Sequence, residues 1–313
     1  MIKAHDKEEK RKMNRQKWTA LFLAVGLMLY AGAAQGESRP LIYQVTDDAG
    51  HMLYLLGTIH VGEESMYPLG DAVERAYQAA EAMAVEVDLV AVQEDFQALM
   101  AYSVALMYGP AGSAEKHLSP ETYALGVEKL GQSEAVLKRM RPVAWLSLAQ
   151  EMIYAQIGST SDWGVDAVLL TRAHQEGKPI EELEGLESQM ETLLSMPDAL
   201  VDFQLQQMLL YPEAAALSMK LMSTAWRQGN EEILALLLSQ ETAGVPLELR
   251  EEYAAYEESL LHSRDAAFEE KAIAYLESGK TVLFAVGAAH IVGEGALADR
   301  LAQAGYTVEE IGR

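Results

Sequence analysis

Tyr54-Leu55-Leu56-Gly57-Thr58-Ile59-His60 and Phe284-Ala285-Val286-Gly287-Ala288-Ala289-His290 carry the same phrase, an apolar run closed by Gly-x-x-His. Val61-Gly62-Glu63 and Val292-Gly293-Glu294 follow them. Runs that are apolar at nearly every position are those of strands buried on both faces. A glycine straight after such a strand lets the chain turn and lets another group approach the backbone. Open α/β sheets bind ligands at the carboxyl ends of their strands. The two motifs therefore predict neighbouring strands whose imidazoles converge at one end of a sheet. One such motif alone says little, because most histidines are ordinary surface or core residues. Its recurrence in an equivalent strand-end context points to a shared site.

The surrounding pattern supports a sheet. Leu41–Val45 and Met52–Leu56 read as strands flanking the hairpin loop Thr46-Asp47-Asp48-Ala49-Gly50-His51. Leu69–Ala80 follows as a helix with Val73, Ala76, Tyr77 and Ala80 on one face, and Met83–Asp88 as the next strand. That is the strand–helix–strand unit of a parallel sheet. Helices are predicted over Val90–Tyr108, Pro120–Lys129, Val143–Ile157 and Val165–Glu176, then a short extended piece over Pro179–Glu184. A second helical run covers Leu186–Ser195, Asp198–Leu210, Glu213–Arg227, Glu231–Leu238 and Leu247–Ser278. Strands return at Thr281–Val286 and Thr307–Ile311, around a helix over Gly295–Ala304. No linker-like stretch divides residues 37–313. The expected class is α/β: one domain, with a mixed sheet built from both chain ends and a large helical layer between them.

Composition narrows the chemistry. The chain has 313 residues, 50% of them hydrophobic, a formal net charge of −23 and no cysteine. Disulfide frameworks, thiolate metal sites, iron–sulfur clusters, cysteine nucleophiles and lipoprotein anchors are excluded. The excess of carboxylates argues against a nucleic-acid partner. Seven Lys or Arg precede the apolar run Trp18–Ala34, and Ala34-Gln35-Gly36 supplies small residues at a cleavage position. Residues 1–36 read as a secretory signal, or else as an uncleaved membrane anchor, and both place the body outside the cytoplasm. Removing that segment, with its seven basic and three acidic residues, takes the totals of 24 and 47 to 17 and 44, net −27.

Two converging imidazoles can share a metal ion, or one can act as base while the other donates a hydrogen bond. A carboxylate would complete a three-ligand site with open positions. Glu86, within Ala84-Val85-Glu86-Val87-Asp88, is the leading candidate, because an acid among buried strand residues is costly unless paired or metal-bound. Asp88, two residues on, is the weaker alternative. His5, His51, His117, His174 and His262 read as ordinary solvated side chains, and the fifteen methionines as core filling.

These residues resemble the TraB/GumN family, which includes the Tiki metalloproteases, from about Leu41 to Ile311. The first motif corresponds to Leu56–Gly62 and the acid-bearing strand to Val85–Asp88. Further blocks resemble Met140-Arg141-Pro142 with Trp145, Gly164-Val165-Asp166-Ala167, Gly177-Lys178-Pro179, Leu183-Glu184 and Glu187-x-Gln189. The last run from Arg264-Asp265 through Val286–Gly293 to Gly305–Val308. Two departures stand out: Asp265 replaces the family's usual Asn, and Gly185 its usual Thr. The resemblance implies a fold of the erythromycin-esterase and ChaN-like kind. From the Tiki members it implies a protease dependent on a divalent metal ion, manganese or cobalt, with zinc a further possibility.

The leading functional expectation is an exported metal-dependent hydrolase, in the first instance a peptidase, with a peptide or small-molecule substrate. His60, His290 and Glu86 would hold the ion, with Gly57, Thr58 and Gly287 lining its place. By motif position and charge, Glu184 would orient a ligand or act as general base, and Arg264 would hold a carboxylate or an oxyanion. The alternative is a non-catalytic binding protein using the same cleft for a peptide, a haem-like ligand or a signalling molecule. Metal-free esterase chemistry with histidine as base is a third reading.

Overall fold

The computed structural model describes residues 38–109 and 112–312. The expected signal segment lies outside the described residues. No helix among the described residues is long and apolar enough to cross a membrane.

The fold is α/β, with one mixed six-stranded sheet in the order β4-β3-β5-β2-β1-β6. The strands are β1 (Ile42–Thr46), β2 (Met52–Thr58), β3 (Ala82–Val85), β4 (Ile180–Glu182), β5 (Val282–Gly287) and β6 (Thr307–Glu310). β4, β3, β5 and β2 run parallel, while β1 is antiparallel to both β2 and β6. Both chain ends thus enter the sheet, as the two terminal sets of strand signals predict. The β1–β2 turn forms because Asp47 accepts hydrogen bonds from the Ala49 and His51 amides and Gly50 takes φ +87°.

β5 is central, and Val282–Val286 are buried on both faces. Helix α1 (Asp71–Ala79) follows β2 and precedes β3, as its periodicity requires. The predicted helix over Val90–Tyr108 is instead two, α2 (Leu89–Glu94) and α3 (Phe96–Ala105). Asp95 breaks it: its backbone leaves helical geometry, and its side chain caps α3 at the amides of Gln97 and Ala98. Helices α4 (Pro120–Lys129), α5 (Pro142–Gln156), α6 (Val165–Glu176), α7 (Leu186–Leu194), α8 (Asp198–Leu210), α9 (Pro212–Arg227) and α10 (Glu231–Gly244) follow the predicted run. The predicted run over Leu247–Ser278 is divided into a 3-10 turn, α11 (Arg250–Glu257), a π-helical turn (Glu258–His262) and α12 (Ser263–Ser278). A final helix, α13 (Leu297–Gln303), leads into β6.

The buried apolar residues form two clusters. The larger surrounds the sheet and takes in Phe268, Ala272 and Leu276 of α12 and Trp226 of α9. The other lies within the helical layer, around Trp145, Leu146 and Ala149 of α5 and Leu200, Val201, Leu205 and Leu209 of α8. Burying each such large side chain contributes roughly 1.5–3 kcal/mol. Trp226 also donates its indole N–H to the Gly57 carbonyl at 2.8 Å, so the helical layer holds the end of β2 through a buried bond.

Gly57 has a steric reason to be glycine. A Cβ there would lie 2.5 Å from Ile291 Cδ1 and 3.2 Å from the Ala288 backbone. Gly57→Ala should therefore cost about 1–3 kcal/mol of stability, read by urea unfolding. A loss below about 0.3 kcal/mol would show that the two strand ends are not packed this closely.

Candidate functional site

β2 and β5 lie side by side in parallel, with Thr58 opposite Gly287. The two Gly-x-x-His motifs therefore leave the sheet at the same end and one residue out of step. β3 adjoins β5 on its other side, with Val85 opposite Ala285, so the chain beyond it carries Glu86 to the same place. Gly287 is where the three meet. A Cβ on it would lie 3.3 Å from Glu86 Oε1, 3.7 Å from His60 Nε2 and 3.8 Å from His290 Cδ2. Glycine keeps that point open, and the Gly287 amide donates to Glu86 Oε1 at 2.7 Å. Thr58, His60, Glu86, Leu89, Asp166 and Gln189 face one small cleft.

Each imidazole is fixed through its inner nitrogen. Asp265 Oδ1 lies 2.6 Å from His290 Nδ1, and Asp166 Oδ2 lies 2.9 Å from His60 Nδ1. Both Nε2 atoms are thus directed away from their carboxylates. His290 and Asp265 are buried, whereas the His60 side chain is 62% exposed. The local fold explains the Asp166 contact: the Val165 amide at the start of α6 donates to the Ile59 carbonyl at 2.8 Å, which sets Asp166 beside His60. Asp166 raises the His60 pKa to about 9; partial desolvation opposes this and Glu86 adds to it.

The carboxylates are gathered by one arginine. The Leu183 and Glu184 amides continue the β3–β4 pairing onto the Val85 and Glu86 carbonyls, which places Glu184 beside Glu86. Arg264 lies between them. Its Nε donates to Glu184 Oε2 at 3.0 Å, and Nη2 donates to Glu184 Oε1 and Glu86 Oε2. Nη1 donates to the Leu260 carbonyl at 2.9 Å and faces His290 Nε2 at 3.1 Å. A guanidinium has five N–H donors, and all five are engaged here. Burial pushes the Glu86 pKa up, but His290, His60, Arg264 and the Gly287 amide outweigh it and hold the carboxyl below its ordinary range. Arg264 is raised above its ordinary value, the loss of solvation being outweighed by Glu184 and Glu86.

Every sequence-predicted site residue except Asp88 lies at this strand end. The Asp88 side chain instead pairs with His174 Nε2 at 2.8 Å and caps α2 through the Ala91 amide. His174, expected to be solvated, is held by that contact, and His51 and His117 likewise pair with Asp47 and Asp198. Asp166, Asp265 and Gln189, which lie in the family-like sequence blocks but carry no predicted role, also join the site, and the Gln189 amide reaches Glu86 Oε2 at 3.3 Å. Asp265, the departure from Asn, gives His290 a carboxylate partner. Both oxygens of Glu184 accept hydrogen bonds from Arg264.

The donor chemistry suits a divalent ion: two anchored imidazoles and a carboxylate, with partners behind them. Among the described residues, no three His, Asp or Glu side chains stand close enough together to hold an ion as placed. The charge lying against His290 Nε2 and Glu86 Oε2 is the Arg264 guanidinium.

Comparison with known proteins identifies the family. The TraB/PrgY/gumN family model matches residues 41–310, so the chain belongs to that family. It is 29% identical over 267 residues to the uncharacterized protein YbaP of Escherichia coli (strain K12), covering 82% of this chain and 90% of that one. It is 30% identical over 258 residues to the uncharacterized protein YbaP of Shigella flexneri, covering 79% and 87%. No solved structure matches the chain.

Two titrations test the electrostatics in metal-free protein. Asp166→Asn should bring the His60 titration, followed by its Cε1 proton resonance, down from about 9 toward 6.5. An unchanged midpoint would remove Asp166 as its cause. Because Glu86 is depressed in the folded state, its contribution to stability is present above the ordinary carboxylate range and lost as pH falls through the folded pKa. Glu86→Gln should cost about 1–3 kcal/mol at pH 7 and less in acid, read by urea unfolding across pH.

Proposed function

We propose that this member of the TraB/PrgY/gumN family is a hydrolase of amide bonds, a peptidase in the first instance, that uses a divalent ion held by His60, His290 and Glu86. The observation that carries the reading is the paired anchoring: two imidazoles from distant parts of the chain, each backed at Nδ1 by its own aspartate, gathered with one carboxylate over Gly287. Manganese, cobalt or zinc would be compatible with two nitrogens and an oxygen. When bound, the ion supplies Lewis acidity that polarises a carbonyl and makes water a better nucleophile near neutral pH.

The chain's own residues have distinct tasks in this reading. Asp166 and Asp265 fix ring orientation and keep the Nδ1 protons in place, which leaves Nε2 as the donor atom. In the metal-free protein the two imidazoles, Arg264 and the Gly287 amide hold the Glu86 carboxyl below its ordinary range. Glu184 holds Arg264 through both of its oxygens. Gln189 and Thr58 line the cleft beside Glu86, where a substrate amide would enter. The His60 side chain is the most exposed of the three ligands, which leaves its face of the site open to solvent and substrate. The basic and apolar segments of residues 3–34 support an exported protein, with any membrane contact made through that segment.

The experiment is hydrolysis of a mixed peptide substrate by wild type, chelator-treated wild type restored with manganese, and His290→Ala. Activity should fall by at least about 100-fold with chelator and in His290→Ala, and return in the wild type alone when manganese is restored. Equal cleavage in all samples would contradict the reading. Saturable peptide binding without turnover, indifferent to chelator, would establish the non-catalytic alternative instead.

A further inference from the structure

We propose that Arg264 is a resident cation of this site, one that takes the place of a divalent ion in the metal-free protein and yields to it without leaving Glu184. The proposal rests on the reading of the cleft as an ion site.

The distribution of the five donors on Arg264 carries the inference. Nη1 and Nη2 each make one bond to a candidate ion ligand and one bond elsewhere. The ligand-directed pair goes to His290 Nε2 and Glu86 Oε2. The other bonds go to the Leu260 carbonyl and to both oxygens of Glu184. Giving up the two ligand contacts would leave the guanidinium anchored by a two-point carboxylate grip and a backbone carbonyl. Such a fork geometry is specific to arginine. The side chain is only 12% exposed and its carboxylate partners 10% and 8%, so these charges compensate one another with little help from solvent.

A divalent ion and a guanidinium repel one another and cannot both take His290 Nε2 and Glu86 Oε2. Glu184, with both oxygens on Arg264, can keep the guanidinium while Glu86 turns to an added cation. The π-helical turn Glu258–His262 ends two residues before Arg264 and contains Leu260, whose carbonyl accepts from Nη1. That turn sets where the guanidinium rests, and π turns recur at functional sites.

Manganese binding by the full chain, measured by calorimetry and by the loss of the free-ion paramagnetic resonance signal, tests this without reference to turnover. Arg264→Gln, which removes the competing charge, should bind manganese at least about tenfold more tightly than wild type. Arg264→Lys, which keeps the charge but cannot fork across Glu184 and Glu86, should fall between them. The midpoint of thermal unfolding should be lower for Arg264→Gln than for wild type in chelator, and should rise more on adding manganese. Wild-type or weaker affinity in both variants would overturn the proposal. If wild-type affinity then still fell in His60→Ala and His290→Ala, the ion-site reading would stand alone. Binding by Arg264→Gln with none by wild type would support the proposal. No binding by any of the three chains would end both.

Discussion

The parallel pairing of β2 with β5 is the constraint on which the site depends. Thr58 lies opposite Gly287, and from that register two motifs far apart in the chain leave the sheet at one end. A slip of one residue would reverse the facing of every side chain along either strand. Register is secured by burial on both sides: Leu55, Leu56, Phe284 and Ala285 are all removed from solvent. The same pairing brings Gly57 against Ile291, so the loop bearing His290 packs directly on the strand bearing His60.

Around that junction the charges are built outward in layers. The imidazoles and Glu86 form the inner group; Asp166, Asp265 and Arg264 hold them; Glu184 and the Leu260 carbonyl hold Arg264. A buried carboxylate such as Glu86 is tolerated because it receives a backbone amide, a guanidinium and the Gln189 amide. The network fixes geometry as much as it supplies stability. Its exposed member, His60, is the one that meets the cleft and the solvent together.

Much of this was legible in the sequence because it rests on local pattern. The repeated Gly-x-x-His after apolar runs placed His60 and His290 at strand ends, and Glu86 stood out as an acid in a buried strand. The strand–helix–strand unit, the hairpin at Asp47–His51 and the return of the sheet at Thr281 follow from hydrophobic periodicity and turn chemistry. What sequence pattern did not convey is side-chain pairing across the fold. Asp88 resembles Glu86 in position, yet the chain leaves the regular strand after Val85, and Asp88 turns to His174 and the start of α2. Asp95 as a helix break has no periodic signal because the apolar pattern runs on past it, and neither has the π turn before Arg264. Asp166, Asp265 and Gln189 gain their roles only once α6, α12 and α7 are packed against the sheet end.

Anomalous diffraction from crystals grown with manganese, recorded at the manganese edge, addresses the common site most directly. The account predicts one strong peak per chain, in contact with both His60 Nε2 and His290 Nε2 and with Glu86, and the Arg264 guanidinium drawn back onto Glu184. A peak touching only one of the two imidazoles, or lying away from Gly287 altogether, would contradict it.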